Sequence, residues 1–151
     1  MPVAFGKYNL LKRLAVGGMA EVFLGVARGS AGFKKYVAIK RILPDLASDA
    51  EFVHMFLDEA RILAQFSHPN IVQIYDLGRL QRSYFLAMEY IHGISMDKLL
   101  KLCKRRGQKL PIEYAAKVVS DACDALDYAH GFAGKDGTPL NLVHRDVNPQ
   151  N

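Results

Sequence analysis

Residues 35–42 read Lys-Tyr-Val-Ala-Ile-Lys-Arg-Ile, and their apolar side chains recur with the period of a β-strand. The pattern predicts a strand that packs against a core and carries Lys40 among apolar neighbours. A half-buried ammonium is costly unless an anion lies beside it. Lys40 is therefore a candidate anion-binding residue, and the alternative is a strand-edge lysine whose amine reaches water.

A glycine turn upstream supplies a second possible anion contact. Tyr8–Val16 and Glu21–Ala27 are short strand-type runs separated by Gly17-Gly18. Glycine has no side chain, so backbone amides at such a turn can approach a phosphate closely. Taken alone, a Gly-Gly pair is more often an ordinary hairpin turn.

Downstream of the lysine, residues 49–66 show the helical period and place Glu59 in an apolar stripe. The stripe consists of Phe52, Phe56, Leu63 and Phe66. Because Glu59 falls within this stripe and the adjacent Asp58 does not, we expect Glu59 to face inward. An inward carboxylate needs a cation, and Lys40 on a neighbouring strand is the predicted partner.

The remaining elements predict an α+β protein with two parts. The further runs are strands at Ile71–Leu77 and Ser83–Tyr90 with a turn at 78–82, helices at 96–104 and 111–131, and a short strand at Asn141–His144. Residues 1–92 then form a five-stranded antiparallel lobe with one helix, and residues 93–151 begin a mainly helical lobe that is incomplete. The second helix of that lobe is apolar on most sides, and the chain lacks the material to cover it.

Composition excludes several classes of protein. The 151 residues are 50% hydrophobic and include only two cysteines, which argues against a disordered chain and against a disulfide-stapled scaffold. No signal peptide or membrane span is visible, so we expect a soluble cytoplasmic protein.

The basic excess is confined to one segment. Six cations lie between Lys98 and Lys109, and without them the formal charge falls from +5 to −1. An RNA- or membrane-binding role for this segment stays open as an alternative. A solvated helix end is favoured because no aromatic residues are interleaved, so we expect no nucleic-acid partner.

The last eight residues, His144 to Asn151, place an aspartate five positions before an asparagine in an irregular segment. Asp146 could accept a hydroxyl proton or orient the hydroxyl, and Asn151 could offer an amide oxygen to Mg²⁺. By itself, a His-Arg-Asp triplet occurs at chance level.

In order along the chain, five runs resemble the eukaryotic-like serine/threonine protein kinases, and the wording is most similar to bacterial, myxobacterial-type members. The runs are LAVGGMAEVFLG, VAIK, FLDEARILAQFSHPNIV, FLAMEYIHG and HRDVNPQN. The resemblance implies a protein kinase-like fold, ATP and Mg²⁺ as cofactors, and a protein substrate phosphorylated on Ser or Thr. It covers essentially the whole chain.

The resemblance also implies a role for each matching position. A phosphate-covering loop would comprise Ala15, Val16, Gly17, Gly18, Met19, Ala20 and Glu21. Adenine would lie between Val22 and Ala38, with the backbone of Glu89 and Ile91 along its edge behind Met88. Lys40 would bind the α- and β-phosphates and pair with Glu59, Asp146 would act on the substrate hydroxyl, and Asn151 would hold one Mg²⁺.

Three departures from the family pattern have chemical consequences. Ala15 and Ala20 stand where the family usually has glycines, which stiffens the loop. Asn148 stands where serine/threonine members usually have a lysine, which removes one transition-state charge contact. No Asp-Phe-Gly occurs, so the leading hypothesis is an inactive fragment of an active kinase, and the alternative is a truncated pseudokinase or a nucleotide- or partner-binding module.

Overall fold

A computed structural model describes residues 2–134 and 136–150 of the chain. The described chain forms two compact units. Of the described residues, the first unit comprises 2–67 and 72–91, and the second comprises 68–71, 92–134 and 136–150.

An antiparallel sheet forms the body of the first unit. Its strands are β1 (Val3–Phe5), β2 (Tyr8–Val16), β3 (Ala20–Arg28), β4 (Lys34–Ile42), β5 (Ile74–Leu80) and β6 (Ser83–Glu89). Their spatial order is β1-β2-β3-β4-β6-β5, so the lysine strand β4 lies between β3 and β6. Val37 and Ile39 are buried on one face of β4 and Ala38 and Ile42 on the other, as expected for a central strand.

Helix α1 (Ala50–Leu63) packs on one face of this sheet. The Asp49 side chain caps its first turn by accepting a hydrogen bond from the Phe52 N–H at 3.0 Å. Phe56 and Ala60 of α1 join Ile42 and Leu86 of the sheet in one buried cluster. The core of the first unit therefore continues from the sheet into the helix.

A second cluster fills the opposite side of the sheet, where the strands curl around it. It contains Phe5, Tyr8, Leu10, Val37, Ile39, Phe85 and Ala87. The Tyr8 hydroxyl donates to Asp76 Oδ2 at 2.9 Å, although three strands separate β2 from β5 in the sheet. A flat sheet would hold those strands about 19 Å apart at the usual spacing, so the sheet must be strongly curled.

Several predicted details of the sheet were wrong. Over the described residues it has six strands rather than five, because the three-residue β1 is too short to show a period. Gly78 lies inside β5 and not in a turn. A Cβ at that position would come within 2.6 Å of the Phe85 ring, so glycine is needed there for close packing. Residues 71–73 precede β5, which begins at Ile74.

The described part of the second unit contains two helices, α2 (Met96–Arg105) and α3 (Ile112–His130). Although the structure describes all 19 residues of α3, none of them is buried. The predicted strand at 141–144 was wrong: Asn141 has a positive φ of 48°, which breaks an extended run, and a single bridge joins Ala133 to Pro139. Over the described ranges, no helix is both long enough and apolar enough to cross a bilayer.

Candidate active site

The predicted phosphate-covering loop is the turn between β2 and β3. The Gly17 N–H donates to the Ala20 carbonyl at 2.8 Å and closes the turn. Beyond the strand ladder, the Leu43 N–H donates to the Met19 carbonyl at 3.2 Å and ties the turn to the end of β4. A Cβ at Gly18 would meet nothing within 4 Å, so open space lies beside the turn.

Four of the predicted nucleotide-binding side chains share one face of the sheet. In the strand register, Val22 is opposite Lys40, and Ala38 is opposite Met88. Directly opposed residues, and residues two apart on one strand, project from the same face. Val22, Ala38, Lys40 and Met88 are therefore brought together, on the face that carries α1.

Glu21 does not belong to that group. It pairs with Arg41 across the strands, one position from Val22 and Lys40, so its side chain projects from the opposite face. Of the predicted loop residues, Glu21 is the one whose side chain is buried, at 7% exposed.

The prediction that Glu59 faces inward was wrong, because Glu59 is exposed. The side chains of α1 that pack on the sheet are Phe52, Val53, Phe56, Leu57 and Ala60. Phe66, which helped to define the predicted stripe, lies beyond the end of the helix. At 100° per residue, the true contact stripe is centred roughly a quarter turn away from Glu59.

As a consequence, Lys40 has no acidic partner on α1. Its Nζ instead lies 5.8 Å from the centre of the Phe56 ring. Phe56 precedes Glu59 by about one turn of α1. Within residues 2–134 and 136–150, no carboxylate lies within 4.0 Å of the Lys40 amine. Lys40 is opposite Val22, two residues beyond the Gly17–Ala20 turn, and its half-buried ammonium fits a polyphosphate because an anion there would supply the missing charge.

The backbone that is predicted to lie along the edge of adenine is at the end of β6. The Glu89 N–H donates to the Gln73 carbonyl at 2.9 Å, and the Gln73 N–H donates back to the Glu89 carboxylate at 3.4 Å. Of the two backbone groups of Glu89, only the carbonyl can therefore serve a ligand. Ile91 follows with 57% of its surface exposed.

In the second unit, Asp146 lies in a tightly hydrogen-bonded loop. The Asn148 side-chain amide donates to Asp146 Oδ1 at 2.8 Å and to the Asp146 carbonyl at 3.3 Å. The Asp146 N–H donates to His144 Nδ1 at 3.3 Å, and the loop is tied to α2 by the Asp97 N–H donating to the Pro149 carbonyl at 2.7 Å. Sequence reasoning noted Asn148 only as a departure, and its two-residue spacing from Asp146 is the signal for this contact.

The predicted metal ligand Asn151 lies outside the described residues. Within the described ranges, no group of three or more His, Cys, Asp or Glu side chains is arranged to hold a metal ion.

The chain belongs to the protein kinase domain family, because residues 8–151 match the family model described as "Protein kinase domain". It is 45% identical over 147 residues to the tyrosine-protein kinase MasK of Myxococcus xanthus, covering 97% of this chain and 23% of that protein. It is 33% identical over 149 residues to the serine/threonine-protein kinase PknI of Mycobacterium tuberculosis, covering 99% and 23%. The serine/threonine-protein kinase PrkC of Bacillus subtilis is 34% identical over 146 residues, covering 97% and 20%.

Solved structures confirm the predicted kinase-like α+β fold. The crystal structure of the Mycobacterium tuberculosis PknI kinase domain matches with a TM-score of 0.72 and 32% sequence identity. The match covers 99% of this chain and 55% of that one. The chain thus spans about half of a solved kinase domain and less than a quarter of the curated relatives above.

Proposed function

We propose that this chain is the ATP-binding part of a protein kinase that transfers the γ-phosphate of ATP to a Ser or Thr hydroxyl of a protein substrate. The observation that carries the proposal is the half-buried Lys40 ammonium with no carboxylate within 4.0 Å in the described chain. It shares a face of the sheet with Val22, Ala38 and Met88, and Val22 follows the Gly17–Ala20 turn by two residues. An apolar surface next to an unpaired cation suits a base followed by phosphates.

Each of these residues then has a distinct task. Val22 and Ala38 supply an apolar surface for the adenine ring, and Lys40 neutralises phosphate charge. The backbone of the Gly17-Gly18 turn covers the phosphates, although the Gly17 N–H itself is already donated to the Ala20 carbonyl. Asp146 orients the substrate hydroxyl, held in place by the Asn148 amide.

When bound, ATP supplies the transferable phosphoryl group and Mg²⁺ neutralises charge on it. Asn151 would offer an amide oxygen to the metal, in line with the preference of Mg²⁺ for oxygen ligands. The 151 residues contain no Asp-Phe-Gly, so we propose that by themselves they bind nucleotide without transferring phosphate. The two-lobe division at residue 92 and a cytoplasmic location are parts of the same proposal.

The test is a phosphotransfer assay on the longer protein that contains this chain. Lys40→Met should lower kcat/KM roughly 10²-fold or more, because phosphate charge is left uncompensated. Asp146→Asn should lower kcat by roughly 10²- to 10⁴-fold. Lys34→Met, six residues earlier on the same strand and exposed, is the matched control and should leave the rate unchanged. Full activity in Lys40→Met would contradict the proposal.

A tyrosine hydroxyl is a second candidate acceptor. Asn148 replaces the lysine usual in serine/threonine kinases, and the relative at 45% identity is named a tyrosine-protein kinase. Peptides that differ only in carrying Ser, Thr or Tyr at one position distinguish the acceptors by kcat/KM. Preference for the Tyr peptide, shifted toward Ser or Thr by Asn148→Lys, would support the second candidate over the first.

The pseudokinase alternative makes a different prediction for the longer protein. It requires nucleotide binding with no transfer to any of the three peptides. The presence of Lys40 and Asp146 favours an active enzyme, since loss of catalysis removes the need to keep both side chains.

A further inference from the structure

Glu21 is an acidic side chain with an unusual environment. At 7% exposed, it is the one charged residue that is buried within the described part of the chain. Its Oε1 accepts hydrogen bonds from both Nε and Nη2 of Arg41, the first at 3.0 Å. Its Oε2 lies 4.0 Å from Nη1 of Arg13. One carboxylate therefore joins strands β2, β3 and β4.

Arg41 is itself held on more than one side. Its guanidinium carbon lies 5.7 Å from the centre of the Phe5 ring and 5.3 Å from that of Phe23. Its side chain is 29% exposed. Contacts with aromatic rings and a forked hydrogen bond restrict the rotamers of the arginine, so the ion pair has a defined geometry.

The location of this pair distinguishes it from other ion pairs of the chain. Glu21 is the second residue of β3, directly after the Gly17–Ala20 turn, and it is opposite Arg41 in the strand register. The next pair in the register is Val22 opposite Lys40. The Glu21–Arg41 pair thus lies directly behind the residues that face the nucleotide in the proposed function.

Stability alone is a poor explanation for such a pair. Desolvating two charges offsets most of their attraction, and well-packed apolar residues often stabilise a fold as well or better. In some proteins, a buried ion pair instead fixes one arrangement of the elements that carry it. The strand ladder ends at the Gly17–Ala20 turn, so an ion pair beside the turn can fix how the strands are arranged there.

We propose that Glu21 and Arg41 are positioning residues. Their ion pair on one face of β3 and β4 holds two features in place: the Gly17–Ala20 turn at the start of β3, and Lys40 on the other face of β4. The proposal rests on the proposed function for its nucleotide consequence. It makes no claim that either side chain touches the nucleotide.

Amide hydrogen exchange of the full chain tests the positioning directly. Glu21→Gln, which keeps the size and removes the charge, should speed exchange roughly tenfold at the Gly17 and Leu43 amides, which bond across and beside the turn. Amides of the β5–β6 ladder should exchange as in the unchanged protein. Asp58→Asn, which breaks an exposed ion pair to Arg61 and a contact with His54 on α1, is the control and should not affect the turn.

Arg13→Gln gives a second variant with little risk to folding, because Arg13 is 62% exposed. It should speed exchange at the same two amides by a smaller factor than Glu21→Gln. Unchanged exchange at the turn in both variants, or acceleration spread evenly over the sheet, would overturn the proposal. In the second case, the pair would contribute to stability only.

Nucleotide binding then separates this inference from the proposed function. With a fluorescent ATP analogue, Glu21→Gln should weaken binding roughly three- to tenfold, and in the longer protein it should raise the KM for ATP more than it lowers kcat. Arg41→Lys, which keeps the charge but not the fork, should fall between the two proteins. If the unchanged chain binds no nucleotide, the proposed function fails, and the exchange data still decide whether the pair positions the turn.

Discussion

The sheet of the first unit and helix α3 of the second have similar apolar content and opposite burial. In β4, Val37, Ile39 and Ile42 are at most 1% exposed. In α3, Ile112 is 78% and Val119 is 62% exposed. A curled sheet with one helix closes on its own core, whereas an apolar helix needs neighbours that the described residues of its unit do not provide.

The largest expected effect comes from truncating the sheet core. Ile39→Ala should destabilise the first unit by about 2–5 kcal/mol, because it leaves a cavity at a fully buried site. Val119→Ala in α3 should change stability by no more than about 0.5 kcal/mol. Urea unfolding of both variants measures the contrast, and equal losses would show that α3 is covered in solution.

A smaller and pH-dependent effect should come from the hydrogen bond between Tyr8 and Asp76, which joins β2 to β5 across the curled sheet. Burial alone would raise the pKa of Asp76, but hydrogen bonds from Lys7 and Tyr8 outweigh burial and hold that pKa below its usual 3.8. A depressed carboxyl pKa adds stability that is complete above the unfolded-state value and lost as the pH falls through the folded-state value. Asp76→Asn should therefore cost stability at about pH 6 and much less at about pH 2.

An aspartate in the second unit, Asp136, provides the control. The pKa of Asp136 is also lowered, first by the Thr138 N–H and then by the Thr138 hydroxyl, in a fully exposed loop. Asp136→Asn should leave the unfolding of the first unit unchanged at both pH values. The measurement is the urea midpoint of the unchanged protein, Asp76→Asn and Asp136→Asn at both pH values. If Asp76→Asn and the unchanged protein lose the same stability in acid, Asp76 does not cause the pH dependence.

The smallest effect is expected on the surface of α3. Lys117 forms an ion pair with Asp121 one turn later, and both side chains are substantially exposed. Lys117→Gln should reduce stability by about 0.3–0.5 kcal/mol, and the difference should vanish at high salt. Thermal unfolding followed by circular dichroism at two salt concentrations measures it. A loss above about 1 kcal/mol would show that contacts between its own surface side chains are the main source of stability for α3.

Much of the fold could be predicted from local pattern. Strand β2 has the predicted bounds, and α2 and α3 differ from prediction by one residue at the ends that moved. Capping and periodicity act over a few residues, so they can be read without a tertiary structure. The alternation of side chains between the two faces of β3 and β4, though not the register that pairs Val22 with Lys40, follows from the period of two in the same way.

Other features depended on contacts that local pattern does not contain. Glu59 was misplaced because the predicted stripe left out Val53, Leu57 and Ala60, which pack on the sheet, and included Phe66, which lies outside the helix. The burial of Glu21 and its ion pair with Arg41 depend on register between strands that are 20 residues apart. The glycine at position 78 is explained only by the Phe85 ring beside it.

By itself, the sequence determined the order of the longer strands and helices from β2 to α3, the lysine strand with its apolar neighbours and the motifs that identify the kinase family, because these are properties of neighbouring residues. The tertiary structure alone decided which acid faces which cation: Glu21 binds Arg41 behind the sheet, and Glu59 lies away from Lys40. The physical reason is that ion pairing depends on distances of a few ångströms between separate elements, and those distances are set by how a helix rotates and how strands register.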